Sequence, residues 1–357
     1  MFNSYLRKIS RISNYDIDRS LYLRLDANER TIAFTKKDIS RLKKIIQSDI
    51  LQSYPSAKSK LIKLISKKEN LDHKYINIIP GADSGIKYFF DIYSGQKGDI
   101  LALYPTYGMI DVYCKTHKFN YLKVNEGDYD YNNIINKINN KTLFVYIANP
   151  NSPSGKLLSE KKILQIIRRA RTKNKFVLLD EAYIDFSKQI SLTNWVKKYS
   201  NLVVLKTFSK CIGLAGLRIG YIVANTNANK IINSIRPPHD TSILSIKFAE
   251  YFLSDKKIWK NYLDKIKKSK KYIEQSCNVR AIKFINTDTN FFHIFFDKNK
   301  IFKIVKYFKK RKILVSSKYL GNYKAYKNSL RITYGSIGQM KVFFESFDKF
   351  LKSNNAK

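Results

Sequence analysis

Val203-Val204-Leu205-Lys206-Thr207-Phe208-Ser209-Lys210-Cys211-Ile212-Gly213-Leu214-Ala215-Gly216-Leu217-Arg218-Ile219-Gly220-Tyr221 decides how the chain is read. The apolar run ending at Leu205 has the composition of a strand buried on both faces. Directly behind it, Thr207-Phe208-Ser209-Lys210 puts a lysine in a polar turn at the strand's carboxyl end, the edge along which open α/β sheets bind ligands. Eight residues later Arg218 opens a second apolar run. A guanidinium in such surroundings is costly unless an anion meets it, either a phosphate held by its planar fork or a carboxylate in a structural salt bridge. Thr207 and Ser209 either donate to the same anion or cap the turn. The stretch therefore holds an amine beside an anion.

Outward from it, short β-rich runs alternate with helical patterns between about residues 75 and 225, the order that gives parallel strands joined by crossover helices. Ile76 to Ile79, Ile100 to Leu103, Leu143 to Ile147, Phe176 to Leu179, Val203 to Leu205 and Tyr221 to Ala224 read as strands. Ser159 to Ala170 reads as a helix outside the sheet, with Ile163, Leu164, Ile166 and Ile167 on one side. The expected fold is α/β with three layers, a mostly parallel sheet flanked by helices. After Arg236-Pro237-Pro238 the pattern changes to long amphipathic helices (Ile243 to Phe252, Trp259 to Ile273) and two further strands (Asn290 to Phe296, Leu330 to Tyr334). This predicts a large unit over residues 36–235 and a smaller α+β unit over 236–357, joined by an N-terminal arm of residues 1–35.

The 357 residues, 44% hydrophobic and 14% aromatic, are enough for a large core, and no apolar run approaches the roughly 18 residues of a membrane span. The opening Met1-Phe2-Asn3-Ser4-Tyr5 lacks the apolar core of a signal peptide, so a cytoplasmic location is expected. Cys114, Cys211 and Cys277 lie far apart and read as reduced, mostly interior thiols; His73, His117, His239 and His293 have no metal-ligand spacing, so no metal is expected. The net charge of +39 is spread along the whole chain rather than gathered in a tail or a nucleic-acid motif. It reads as lysine-loaded solvated surface that favours anionic substrates, with a basic nucleic-acid-binding protein as a distant alternative.

Each expected strand ends in a polar turn. Asp180 follows Phe176-Val177-Leu178-Leu179, and a carboxylate partly buried there needs a cation. Tyr183 lies three residues on, either as a donor toward the same site or as packing. Gly81-Ala82-Asp83-Ser84-Gly85 opens a helix whose amides could cradle a phosphate. Tyr107, in Tyr104-Pro105-Thr106-Tyr107-Gly108, could stack on a flat ring, and Asn149-Pro150-Asn151-Ser152-Pro153-Ser154-Gly155 forms a rigid turn pointing into the same crevice. A lysine that bonds an aldehyde, an aspartate facing a ring nitrogen and an arginine on a phosphate together read as a pyridoxal-phosphate site.

With these motifs the chain resembles fold type I pyridoxal-phosphate aminotransferases, with an aspartate-aminotransferase-like large domain, and within them the histidinol-phosphate aminotransferase group, from Leu25-Asp26-Ala27-Asn28-Glu29 to Leu330-Arg331-Ile332-Thr333-Tyr334-Gly335. The resemblance implies Lys210 as the Schiff-base and catalytic residue, Asp180 on the ring nitrogen, Tyr183 on the ring hydroxyl and Tyr107 on the ring face. It implies Ala82, Asp83, Thr207, Ser209 and Arg218 around the cofactor phosphate, Arg331 on the substrate's acidic group and Asn28 in the arm over the site. Tyr54 would reach the cofactor of a neighbouring subunit in a homodimer. Three departures stand out. Ser152 occupies the place of the family's usual asparagine, with Asn151 one residue earlier, so either can serve the ring hydroxyl. Arg30 stands where these enzymes usually carry proline, and Ile313-Leu314-Val315-Ser316-Ser317-Lys318 lacks their arginine for substrate phosphate, leaving Lys318 as a point charge. The implied function is amino transfer between glutamate or 2-oxoglutarate and a small phosphorylated carbonyl substrate. A decarboxylase of threonine phosphate or serine phosphate is the alternative.

Overall fold

The computed structural model of the chain describes residues 4–9, 17–46, 48–55, 58–125, 131–296, 300–317 and 326–355. Among these, seven strands form the central sheet in the order Ile76–Ile79, Gly220–Ala224, Leu202–Thr207, Phe176–Asp180, Thr142–Ala148, Asp99–Tyr104, Asn120–Asn125. Gly220–Ala224 is antiparallel to both of its neighbours, and the remaining pairs are parallel. The wholly apolar runs become the interior strands: Thr142–Ala148 and Gly220–Ala224 are buried at every position. The expected strands and the helix over Glu160–Thr172 are all present. The edge strand Asn120–Asn125 is an addition. Exposed Asn120, Lys123 and Asn125 interrupt Tyr121, Leu122 and Val124, and it pairs on one side only, so no apolar run announces it.

Side chains alternate across the sheet, which divides its apolar residues into two clusters. One face holds Leu101, Val145, Ile147, Val177, Leu179 and Val204 against Ile163, Ile166 and Ile167, and the other holds Ile100, Phe144, Tyr146, Leu178 and Val203 against Phe89 and Phe90. The first cluster also takes in Ile246, Ala249, Phe252 and Leu253 of helix Ile243–Ser254, which lies beyond the Pro237-Pro238 pair yet packs on helix Ser59–Glu69 of the main layer. A third cluster surrounds a three-stranded antiparallel sheet (Ser329–Thr333, Phe291–Phe295, Phe284–Ile285), covered by helices Lys256–Val279, Ile301–Lys310 and Ile337–Asn355. Leu25 of the N-terminal arm is fully buried in this third cluster, and Leu23–Arg24 pairs with Ile313–Leu314. The arm is thereby drawn across the carboxyl end of the main sheet. The three cysteines are buried free thiols, and no described helix is long and apolar enough to cross a membrane.

Candidate active site

The site is built where four strands of the main sheet end. Strand Ile76–Ile79 turns through Gly81 at φ +81° into helix Ala82–Ile92, whose first backbone N–H groups have no partner within the helix. Only glycine takes that φ freely, and a Cβ there would lie 3.2 Å from Nη2 of Arg218. Gly220 pairs with Ile79 on one side and Thr207 on the other, so Ala82, Asp83, Thr207, Ser209 and Arg218 come to one corner. Ser209 N donates to Thr207 Oγ1 at 3.1 Å, and Arg218 Nη1 donates to Ser209 Oγ at 3.4 Å and Ala215 O at 3.2 Å. Arg218 adopts the left-handed conformation at φ 47°, a strained geometry for a residue with a side chain, and among the described residues it pairs with no carboxylate. Of the two readings of Arg218, the structural salt bridge is therefore not formed among the described residues. The corner offers helix amides, two hydroxyls and a guanidinium, the donor set of a phosphate site.

Beside it Asp180, 7% exposed, accepts from Tyr146 O–H at 2.9 Å and from Ala182 N at 3.0 Å. Burial, with the charge of Asp83 beside it, pushes its carboxyl up to about 6 against these two hydrogen bonds and the charge of Lys210, and among the described residues no cationic side chain forms an ion pair with it. A protonated ring nitrogen is the partner such a carboxylate fits. Tyr183 accepts from Asn28 Nδ2 at 3.0 Å, and Lys210 Nζ lies 5.3 Å from its ring centre. Burial works to raise the Tyr183 phenol, but the Lys210 and Arg331 charges and the Asn28 hydrogen bond outweigh it and the net shift is downward. Lys210 Nζ donates to Asn28 O at 3.2 Å and Ala27 O at 3.4 Å, and Arg331 Nη2 donates to Asp26 O at 2.9 Å. Lys210, Tyr183, Asn28 and Arg331 thus meet beneath the arm. Tyr107 faces the same space with 37% of its surface exposed; crowding by protein, then the charge of Asp83, pushes its phenol up.

Asn151 is committed to its own turn: Nδ2 donates to Pro105 O at 2.7 Å and Ser154 Oγ at 3.0 Å, while Oδ1 accepts from Thr106 at 2.8 Å. Ser152 is 9% exposed beside it. Tyr54 is 77% exposed and stacks on His239 with ring centres 4.7 Å apart. Lys318 lies outside the described residues.

A buried ionic network behind the site escaped the sequence reading. Lys206 Nζ pairs with Glu181 Oε2 at 3.3 Å, Lys68 pairs with Glu69 at 2.9 Å and Asp185 at 3.6 Å, and Tyr221 O–H donates to Glu69 at 2.7 Å. Burial works to raise the Glu69 carboxyl, but Lys206 and Lys68 pull it down to about 2. Glu181 and Lys206 each adjoin a site residue in sequence, and a lone lysine in Val203-Val204-Leu205-Lys206 is the one signal that could have been read. Lys206→Met leaves the fully buried Glu181 carboxylate without its cation, so an unfolding free energy lower by about 3–5 kcal/mol is expected, read as a reduced urea midpoint.

His293 links the second sheet to the Asn151 turn. Its Nε2–H donates to Pro153 O at 2.8 Å, with the ring fully buried. Burial lowers it from 6.5 to about 4, so between those values the unfolded chain binds more protons and stability is lost as pH falls through the window. That loss amounts to about 3 kcal/mol. Measured by denaturant unfolding, the stability gap between wild type and His293→Gln should shrink by about this much from pH ~7 to pH ~4.

Comparison with known proteins agrees with this geometry. The sequence profile described as aminotransferase class I and II matches residues 22–347. Histidinol-phosphate aminotransferase of Buchnera aphidicola subsp. Cinara cedri is 33% identical over 300 residues, covering 80% of this chain and 82% of that one. The enzyme of the same name from Clostridium novyi is 30% identical over 289 residues, covering 79% and 80%. Histidinol-phosphate aminotransferase from Sinorhizobium meliloti, solved with pyridoxal-5'-phosphate, superposes with a TM-score of 0.86 at 17% identity, covering 99% of this chain and 98% of that one. With a profile match over nearly its whole length and an aspartate-aminotransferase-like fold, the chain belongs to the class I and II aminotransferases, enzymes of pyridoxal phosphate.

Proposed function

We propose that this aminotransferase exchanges an amino group between glutamate or 2-oxoglutarate and a small phosphorylated substrate of the histidinol-phosphate type, as a cytoplasmic homodimer. The observation that carries the reading is the convergence of Lys210, Tyr183, Asn28 and Arg331 beside Asp180, a buried carboxylate with no ion pair among the described residues, in a chain whose curated relatives are named histidinol-phosphate aminotransferases.

In this reading Ala82, Asp83, Thr207, Ser209 and Arg218 hold the cofactor phosphate, Asp180 faces the ring nitrogen, Tyr107 lies on the ring face, and Tyr183 serves the ring hydroxyl. Ser152 is the better second partner there, since the Asn151 amide is spent on its own turn. When bound, the cofactor supplies an electron sink for charge developing on the substrate carbon. Asp180, oriented by Tyr146 and Ala182 N, keeps a negative charge at the buried end of the site. Lys210 Nζ accepts the proton from the substrate carbon and returns it on the other side of the transfer. Tyr183, held by Asn28, fixes the polar surroundings of that amine. Arg331 grips the substrate carboxylate, or the equivalent acidic group, through its planar fork. Lys318 contributes a point charge toward the substrate phosphate, and Tyr54 reaches the neighbouring subunit's cofactor.

Two measurements bear on this assignment. Arg218→Lys keeps the charge but loses the fork, and cofactor affinity measured by equilibrium dialysis is expected to fall about ten-fold. Histidinol phosphate with 2-oxoglutarate should yield glutamate. Carbon dioxide released from threonine phosphate or serine phosphate, with no glutamate formed, would replace this reading by the decarboxylase one.

A further inference from the structure

Arg30 lies two residues beyond Asn28, whose carbonyl accepts from Lys210, and its side chain turns back toward the loop that follows that lysine. Gly213 has φ +87°, and a Cβ on it would stand 2.3 Å from Arg30 Cδ and 2.8 Å from Arg30 Cβ, so the arginine stem fills the space a side chain would need. Arg30 Nη1 donates to Ile212 O at 3.4 Å and Nε donates to Ile32 O at 2.8 Å. The guanidinium lies 4.1 Å from the ring centre of Phe34 and 4.6 Å from that of Tyr262. These rings belong to different packing units: Phe34 sits on Phe252 of the main core at 4.7 Å, and Tyr262 is 1% exposed in the cluster around the second sheet.

Burial pushes the Arg30 guanidinium below its ordinary value, against the weaker influence of Tyr262, Asp38 and Cys211, which work to raise it. Among the described residues no carboxylate forms an ion pair with it. Two ring faces and two carbonyls hold a cation where a methionine would fill the same volume without the desolvation cost. Packing alone does not call for an arginine here. What the arrangement does accomplish is to fix two segments to each other: the arm over Lys210 and the loop carrying Lys210.

We propose that Arg30 is a positioning residue for amino transfer, a clamp that sets the lysine amine by joining the arm at Asn28–Ile32, the loop at Ile212–Gly213 and helix Lys256–Val279 through Tyr262. The inference rests on the reading of Lys210 given above. It assigns no contact between Arg30 and the substrate or cofactor.

The test uses the holoenzyme of Arg30→Met, Arg30→Lys and Tyr262→Leu, each below its unfolding temperature. Three quantities are read: the single-turnover rate with saturating glutamate, the glutamate concentration at half-maximal rate, and the pH midpoint of the visible band of the cofactor bound to Lys210. Arg30→Met is expected to lower the rate about ten-fold, shift the band midpoint and leave the half-saturating concentration within about two-fold. Arg30→Lys should fall between, because an ammonium keeps the charge but lacks the planar fork. If Arg30→Met does not fold, Tyr262→Leu carries the test, since it removes one face of the sandwich and leaves Arg30 in place. Wild-type rates and band midpoints in the variants that fold, with only the unfolding temperature lowered, would overturn the clamp. A wild type that has no such band or does not react with glutamate overturns the reading of Lys210, and the clamp with it.

Discussion

Lys210→Ala is expected to lower the rate of amino transfer by about ten-thousand-fold while leaving the fold intact. In the proposed assignment the amine has two tasks, covalent attachment to the cofactor aldehyde and proton transfer at the substrate carbon, and alanine removes both. Its neighbours cannot substitute. Ala27 O and Asn28 O, which accept from Nζ, carry no proton to give, and the Tyr183 hydroxyl is held by Asn28. Lys210 is half-buried and forms no ion pair among the described residues, so unfolding free energy should stay within about 0.5 kcal/mol of wild type. Single-turnover kinetics with glutamate and a urea titration measure the two halves of this expectation. Partial recovery of rate by a small added amine would show that proton transfer is one of the lost functions.

Asp180→Asn should slow transfer by about 10²–10³-fold, the range seen when one preorganised electrostatic group is removed. The same change should stabilise the cofactor-free protein. Burial raises the Asp180 carboxyl from 3.8 to about 6, so the folded chain binds more protons than the unfolded one between those values. Stability from this group is therefore present at low pH and lost as pH rises through the window, leaving the neutral-pH protein about 3 kcal/mol worse off than with a neutral side chain. Asparagine keeps an acceptor for the Ala182 amide and removes the charge. A gain in the urea midpoint together with a loss of rate is the expected pair of results. It would identify Asp180 as a residue held for function against folding stability.

The main sheet was legible because its strands are apolar runs closed by polar turns, as at Leu179-Asp180 and Leu205-Lys206-Thr207, and burial on both faces leaves little else such runs can be. Asn120–Asn125 was not, since an edge strand needs no continuous apolar run. Within the proposed site, residues at or just past a strand end could be named from position alone: Asp180 and Thr207 close their strands, and Ser209 and Lys210 follow in the turn. Contacts that depend on register could not. Tyr146 looks like one more apolar strand residue, and it reaches Asp180 because Ala148 pairs with Asp180 and places the tyrosine on the same face two positions back. Glu69, at the end of a helix far earlier in the chain, meets Tyr221, and its neighbour Lys68 meets Asp185, only through the packing of that helix under the sheet. The hydrogen bonds of the Asn151 amide to Pro105 and Ser154, on which the proposed preference for Ser152 rests, likewise have no signal in the sequence.

The most direct test of the account is one half-reaction. Purified holoenzyme, mixed with glutamate and no acceptor, should lose the visible band of the cofactor bound to Lys210 and form one 2-oxoglutarate per subunit, and Lys210→Ala should do neither at a comparable rate. A band unchanged by glutamate, with no 2-oxoglutarate formed by the wild type, would contradict amino transfer from glutamate at Lys210.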